Sequence, residues 1–181
     1  MMSEQDNKLP VLADLYAEKE IVEKENNLNI LLNAEPKEGW TRDHPMAKGV
    51  KFIPIGIVEY LLTSIFKKWR VEIRKTELIA NSVVVTIRLH FKDPISGDWE
   101  WQDGIGASPI QTDKGAAATD FTKVKNDAVM KCAPAAESFA IKDAAEKLGR
   151  IFGKDLNRKD VMTYESLKKK AVDVSKIKKS E

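Results

Sequence analysis

The chain has 181 residues, of which 43% are hydrophobic and 32% charged, and its formal net charge is +2 at pH 7. These values are typical of one soluble globular domain and exclude a histone-like polycation. A single cysteine, Cys132, excludes an intramolecular disulfide, and two distant histidines, His44 and His90, argue against a zinc-finger site. The N-terminus has no apolar signal core and no stretch approaches about 18 apolar residues, so we expect a cytoplasmic protein without membrane association.

Charge divides the chain into three expected regions. Residues 1–40 hold nine acids against four lysines, whereas the stretch from Lys168 to the end holds six lysines against two acids. We expect an acidic N-terminal segment over residues 1–25, a folded core over residues 26–160 and a basic flexible C-terminal tail over residues 161–181.

The first half of the core predicts two helices. Residues 26–36 predict a short helix that is ended by Pro36 and buries Leu28, Leu31 and Leu32. Residues 37–49 predict a polar loop. Residues 52–69 begin extended around Pro54 and then predict a helix with apolar residues at helical spacing, namely Val58, Leu61, Leu62 and Ile65.

Alternating patterns then predict three antiparallel strands over residues 69–75, 82–91 and 99–103. The second strand alternates most clearly, with one apolar face and one wet, partly cationic face. Residues 103–115 predict a long Gly-containing loop. A helix-rich stretch follows to about Gly149, with a start capped by Thr119 or Asp120 and a kink or break at Pro134. Its expected buried stripe comprises Val124, Ala128, Cys132, Ala135, Phe139, Ala144 and Leu148.

These elements predict an α+β fold in which an antiparallel β-sheet packs against a long helix. Gly104 and Gly106 form a lone GxG without the Lys-Ser or Lys-Thr of a phosphate-binding loop, so we interpret them as a turn and expect no ATP hydrolysis. Cys132 lies on the apolar stripe of the helix and is interpreted as a buried core residue. We therefore expect no cofactor and no metal.

Clustered cations leave two interpretations open, a groove that binds nucleic acid and ordinary solvated surface charge. Trp69 lies among five cations in KKWRVEIRK, and further cations lie on the wet strand face, on the predicted long helix and around the early loop. Cations on a sheet face and nearby helix starts suit a groove that follows phosphates. The expected DNA-binding residues are Arg42, Lys48, Lys51, Arg74, Lys75, Arg88, Lys123, Lys125, Lys131 and Lys142.

Four segments in order resemble a known family. They are FIPIGIVEYLLTSIF followed by Trp69, TIRLHFKD over residues 86–93, Gln102 to Gly106, and AIKDAAEKLGRIFG over residues 140–153. On these segments, the region from about Asn27 to Asp160 resembles the Rad-fifty-two superfamily of single-strand annealing proteins. That superfamily includes the eukaryotic recombination mediator and bacteriophage annealases of the Sak type, and the compact chain is more similar to the latter.

The resemblance implies a β-β-β-α core whose protomers form a ring or helical filament, with single-stranded DNA in a basic outer groove. It implies annealing in homologous recombination without ATP, and hence no enzymatic activity. The family's cations at the start and middle of the long helix correspond to Lys123, with Lys125 beside it, and Lys142. Arg42 and Lys48 lie in the loop that supplies another family cation.

Two residues within these four segments depart from the family pattern. Asp143 stands where a second cation would follow Lys142, and Ile105 replaces an aromatic residue. The first departure predicts a weaker or differently built groove at that point.

Two alternatives remain open from the sequence. A small metal-dependent nuclease would use the carboxylates of one hairpin, Asp98, Glu100 and Asp103. A non-catalytic DNA-repair interaction module would instead use the acidic N-terminus or the lysine tail to bind an exonuclease or a single-strand binding protein. The second alternative is compatible with annealing.

Overall fold

The computed structural model describes residues 19–44 and 47–159, and it confirms an α+β fold with antiparallel strands and packed helices. Most of the expected acidic segment and the whole expected tail lie outside the described residues. The elements are α1 (Lys19–Leu32), β1 (Arg42–Asp43), β2 (Lys51–Phe52), α2 (Ile55–Phe66), β3 (Trp69–Ile79), β4 (Ser82–Lys92), β5 (Trp99–Pro109) and α3 (Ala128–Glu146).

The central sheet has the strand order β3-β4-β5, and both neighbouring pairs are antiparallel. The alternation predicted for β4 is confirmed, since one of its faces is buried in the core and includes Ile87 and Leu89, which have no exposed surface. The opposite face of the sheet, called the open sheet face from here on, carries side chains that the strand register places side by side. It comprises Arg70, Glu72, Lys75 and Glu77 of β3, Thr86, Arg88, His90 and Lys92 of β4, and Trp99, Trp101, Asp103 and Ile105 of β5.

Strand β5 is longer than expected, because it continues to Pro109 through the stretch predicted as a loop. The interpretation of Gly104 and Gly106 as a turn with unusual backbone angles is wrong, since neither residue has a positive φ. Glycine is needed at both positions because there is no room for a side chain. A Cβ atom would collide with the backbone carbonyl of Ala140 if placed on Gly104, and with that of Ala136 if placed on Gly106. The two glycines therefore let α3 lie directly on β5.

Helix α3 begins later than the sequence predicts. The chain first forms a 3₁₀ turn at Phe121–Lys123, where the Asp120 carboxylate accepts a hydrogen bond from the Thr122 N–H at 3.1 Å. Asp120 therefore caps this turn and not α3. Lys123 and Lys125 precede α3, so their expected placement on the first half of the helix is wrong.

The interior of α3 differs from expectation at two positions. The helix continues through Pro134 without a break. The carbonyl that loses its partner there belongs to Met130, a residue 80% exposed and so open to water. Phe139, expected on the buried stripe, is 46% exposed, whereas Cys132 is buried as expected.

The two remaining helices flank this core. In α2, the expected burial of Val58, Leu61 and Leu62 is confirmed. Helix α1 starts before the predicted segment, and Leu31 is 44% exposed, so its expected burial is wrong. None of the helices in the described ranges is both long and apolar enough to cross a membrane.

The close approach of α3 to β5 predicts that two glycine-to-alanine substitutions differ strongly in their effect on the free energy of unfolding. Gly106→Ala must push α3 away from β5, so we expect it to lower the free energy of unfolding by about 1–3 kcal/mol in a urea titration. Gly56→Ala in α2 is the matched control, because nothing lies within 4 Å of its added methyl group. This control should gain about 0.5–1 kcal/mol from helix propensity. Equal stability of Gly106→Ala and the unmodified chain would contradict the packing.

Candidate nucleic-acid interface

The ten cations predicted to bind DNA fall on three separate surfaces. The first, which we call the hairpin–helix groove, joins the β1–β2 hairpin to the C-terminal half of α3 and carries Arg42, Lys48, Lys51 and Lys142. The second is the open sheet face with its bulged edge, which carries Arg74, Lys75 and Arg88. The third lies before and at the start of α3 and carries Lys123, Lys125 and Lys131.

The hairpin–helix groove brings together residues from distant parts of the sequence. Strand pairing sets Arg42 opposite Phe52. The Lys142 Nζ atom of α3 lies 5.3 Å from the ring centroid of Phe52 and 4.5 Å from that of Phe139. These are cation–π distances, so the ammonium group is held by aromatic faces. The Arg42 guanidinium itself donates to the carbonyls of Gly39 and Thr41, at 3.2 and 3.1 Å. The groove thus places Lys142 over the Phe52 ring and Arg42 on the strand paired with Phe52, although the two cations are 100 positions apart in sequence.

Asn157 fixes the hairpin in this position. Its side-chain oxygen accepts a hydrogen bond from the Lys51 N–H, and its amide nitrogen donates to the Lys51 carbonyl, both at 2.8 Å. A two-stranded hairpin of this size is at best marginally stable by itself. The segment that follows α3 therefore anchors the hairpin beside the helix.

An open cavity of about 540 Å³ lies next to this anchor, and a neighbouring cavity of about 570 Å³ shares Lys51, Lys154 and Arg158 with it. Both volumes are within the range of ligand-binding clefts, roughly 300–1,000 Å³. The two cavities form one trough bordered by cations, which also include Lys147, Arg150 and Lys159, and by carboxylates. The carboxylates are Glu35, Glu38, Asp143, Glu146 and Asp155.

The cations of the groove differ in whether a carboxylate compensates them. Lys147 pairs with Asp143 at 2.8 Å, and Arg158 pairs with Asp155 at 2.9 Å. A second set makes no ion pair with any residue in the described ranges, and it comprises Arg42, Lys48, Lys51, Lys142 and Lys154. An anion can bind these side chains without displacing a carboxylate.

Lys142 is the most constrained of the uncompensated cations. Burial lowers the pKa of its ammonium group, and the charge of Glu146 opposes that shift. Burial and the nearby Asp143 raise the pKa of Glu146. A partly desolvated cation gains more from an incoming phosphate than a fully hydrated one, because part of its hydration is already lost.

On the open sheet face, Arg88 is held on two sides. Its guanidinium donates to the Asp103 carboxylate in a bidentate pair, with Nε–Oδ1 at 2.7 Å and Nη2–Oδ2 at 2.9 Å. The guanidinium carbon also lies 3.8 Å from the ring centroid of Trp101. The hydrogen bonds from Arg88 lower the pKa of Asp103. Both groups are thereby charged and oriented near neutral pH.

The other two predicted cations of this face are compensated as well. Arg74 pairs with Glu72 at 2.6 Å, and Lys75 pairs with Glu77 at 2.7 Å. Glu72 also contacts the His90 ring at 3.0 Å, and the bonds from His90 and Arg74 lower its pKa. A phosphate that bound these cations would have to displace carboxylates, so the open sheet face is less suited to holding a DNA backbone than the groove.

The third surface is remote from the groove. Lys131 pairs with Asp127 one helical turn away, and this bond lowers the pKa of Asp127. Lys123 and Lys125 lie in the connection before α3 with exposed side chains. Eleven residues separate Lys131 from Lys142, which is about 16 Å along the helix axis at a rise of 1.5 Å per residue. The structure therefore does not join these lysines to the groove within one protomer.

Two residues that the sequence reasoning did not place in the site connect α3 to the edge of β5. The Asp143 carboxylate accepts the Ile105 N–H at 3.0 Å, and Lys147 Nζ donates to the Asp103 carbonyl at 2.8 Å. The departure from the family pattern at Asp143 thus has a structural role. Asp143 and Lys147 have the four-residue spacing of a helical ion pair, and this signal is visible in the sequence.

The carboxylates proposed for a nuclease are separated by the sheet. Asp103 lies on the open sheet face and is bound by Arg88, whereas Glu100 pairs with Phe91 on the opposite face of β5. Within residues 19–44 and 47–159, no group of three or more His, Cys, Asp or Glu side chains could hold a metal ion. The hairpin therefore offers no observation that favours the nuclease alternative.

Comparisons with known proteins add no assignment. A scan against protein-family models finds no match for this chain, and a search of curated proteins finds none either. The resemblance to single-strand annealing proteins stays a prediction, and the function has to be argued from the residues and their geometry.

The pair between Arg88 and Asp103 predicts a pH-dependent contribution to stability. Because the folded pKa of Asp103 is depressed, its contribution is complete above the ordinary carboxyl value near 4 and is lost as pH falls through the folded value. We expect Asp103→Asn to unfold at a lower urea concentration than the unmodified chain at pH 7. The gap between the two midpoints should narrow progressively below about pH 4.

Asp113→Asn is the control for this experiment, since Asp113 is exposed and its carboxylate makes no ion pair within the described part of the chain. It should leave the midpoint unchanged at both ends of the pH range. A constant gap for Asp103→Asn from pH 7 to pH 3 would contradict the assignment.

Proposed function

We propose that this protein binds single-stranded DNA in the hairpin–helix groove and anneals complementary strands without ATP in homologous recombination. The observation that carries the proposal is the Lys142 ammonium group held over the rings of Phe52 and Phe139, with Arg42 on the strand that pairs with Phe52. Neither cation has a carboxylate partner among the described residues, and Lys51 and Lys154 continue the same charge along the trough. Uncompensated cations beside aromatic rings suit a nucleic-acid backbone with unstacked bases.

Binding in this groove would be mainly electrostatic. Each phosphate neutralised by a lysine or arginine releases condensed counterions, so affinity falls with salt. The strand is held by its phosphates, which leaves its bases accessible to a second strand. The protein then promotes pairing by ordering the first strand and by screening the repulsion of the second. None of these steps uses nucleotide hydrolysis.

A continuous track for DNA requires several copies of the chain, because one protomer offers only a few uncompensated cations. Strand β3 supports self-association into a ring or helical filament. It is an edge strand of the described sheet, and Ile73 and Leu78 on its core-side face are 56% and 70% exposed. Helix α3 packs on β4 and β5, which leaves these two side chains uncovered by the described part of the protomer. Edge strands of this kind are templates for pairing with another chain.

The wider setting of the proposal follows the resemblance. We propose a bacteriophage-encoded recombination protein that acts in the host cytoplasm and contacts an exonuclease or a single-strand binding protein. The tail over residues 161–181 is the segment proposed for that contact. Its deletion should abolish the partner interaction and spare DNA binding by the core.

The direct test of function uses two complementary oligonucleotides with fluorescent ends, mixed with the protein in EDTA and without nucleotide. We expect pairing faster than the protein-free rate, with the acceleration falling as salt rises. Strands that are bound without faster pairing would reduce the protein to a binding module. The absence of binding would refute the proposal as a whole.

Removing the Lys142 charge should weaken binding to single-stranded DNA. Lys142→Gln removes the ammonium group that lies over Phe52 and Phe139 and keeps a polar side chain with two of the four methylene groups, so the fold should persist. We expect lower affinity by fluorescence anisotropy and a slope of log affinity against log salt that is smaller by about 0.7 per protomer.

Lys114→Gln is the charge-matched control, because Lys114 is exposed in the connection after β5 and makes no ion pair with a described residue. It should change neither affinity nor slope. Unchanged binding by both Lys142→Gln and Lys51→Gln would rule out the groove as the DNA site.

A further inference from the structure

Two of the four tryptophans of the chain alternate along the edge strand β5 and lie on the open sheet face. Strand pairing sets Trp99 beside Lys92 and Trp101 beside His90. Trp99 is 50% exposed and Trp101 is 53% exposed, so neither indole belongs to the core. Ile105, farther along the same face, is 57% exposed. A row of large apolar side chains left in solvent is typical of a binding surface.

An arginine accompanies each indole. The Arg70 guanidinium carbon lies 5.3 Å from the Trp99 ring centroid, and that of Arg88 lies 3.8 Å from the Trp101 ring centroid. Asp103 holds Arg88 in a bidentate pair, which fixes the guanidinium plane against Trp101. The rings are therefore oriented before any ligand arrives, and orienting them costs little on binding.

Charge and geometry on this face favour a single nucleic-acid strand as the occupant. Cations outnumber carboxylates there, four to three: Arg70, Lys75, Arg88 and Lys92 against Glu72, Glu77 and Asp103. Alternate positions on a strand are about 6.8 Å apart, twice the base rise of about 3.4 Å in a duplex. Rings at this spacing fit a single strand whose bases are unstacked and separated, whereas duplex DNA does not expose base faces.

We propose that Trp99 and Trp101 form a second surface for single-stranded nucleic acid, which contacts the bases by stacking and not the phosphates by charge. This inference rests on the proposed function, because it gives one protomer two modes of holding DNA. The groove holds a strand by its backbone. The open sheet face holds unstacked bases. Because Lys75 and Arg88 of this face, and Arg74 at its bulged edge, are already paired with carboxylates, that contact is less sensitive to salt than the groove.

The test compares two strands of equal length, oligothymidine and a base-free deoxyribose-phosphate polymer. The double variant Trp99→Leu, Trp101→Leu keeps apolar bulk and removes both indole rings. We expect its dissociation constant for oligothymidine to rise about tenfold or more, since stacking is worth roughly 1–3 kcal/mol per base. Its affinity for the base-free polymer should be unchanged. Tyr60→Leu, at a ring that is 59% exposed on α2, is the control and should alter neither affinity.

Each other outcome is decisive. Equal weakening for both strands would overturn the inference, because the contact would then be to the backbone. Unchanged affinity of the double variant for oligothymidine would also overturn it, and the proposed function would stand if Lys142→Gln still weakened both strands. A variant that binds both strands normally but changes its sedimentation coefficient would assign the face to contact between copies of the chain. Failure of the unmodified protein to bind oligothymidine would overturn the inference and the proposed function together.

Discussion

The structure depends on the close contact between α3 and β5. Two glycines of the strand, Gly104 and Gly106, face the backbone of three alanines of the helix, Ala136, Ala140 and Ala144. Along this seam the backbone of β5 lies directly against the backbone of α3. Larger, more adaptable side chains between the two elements would allow a wider range of helix positions, so the direct contact fixes the helix more narrowly. Asp143 and Lys147 add hydrogen bonds from the helix to the strand edge, which hold the helix against sliding along the seam.

Both candidate surfaces follow from this seam. Because α3 is held at a fixed depth on one face of the sheet, its C-terminal half reaches the β1–β2 hairpin, and Lys142 meets Phe52 there. Among the described residues, α3 leaves the opposite face uncovered, and there Arg70 lies over the ring of Trp99 and Arg88 over that of Trp101. On one side of the sheet, Arg42, Lys51 and Lys142 thus make no ion pair with a described residue, and on the other, Lys75 and Arg88 are already paired with carboxylates.

The sequence predicts the parts of this fold whose signal is local. The alternation in β4 and the apolar spacing in α2 predict their buried residues correctly, because each pattern is set by a single element with one covered face. The extent of β5 could not be predicted, since glycine usually marks a turn and its spatial role here depends on a helix that lies 30 to 40 residues later. The pairing of Arg88 with Asp103 depends on strand register, and the anchoring of Lys51 by Asn157 depends on contacts across 106 residues. Neither interaction produces a local pattern in the sequence.

The burial of Cys132 has a practical consequence for work with this protein. The only thiol in the chain lies on the buried side of α3 and is 3% exposed, so maleimide and similar reagents reach it poorly. A cysteine introduced at the surface would therefore be modified in preference to the native one. Dyes or spin labels can be attached at chosen positions of the natural chain, with no need to replace Cys132 and so no disturbance of the packing beneath α3.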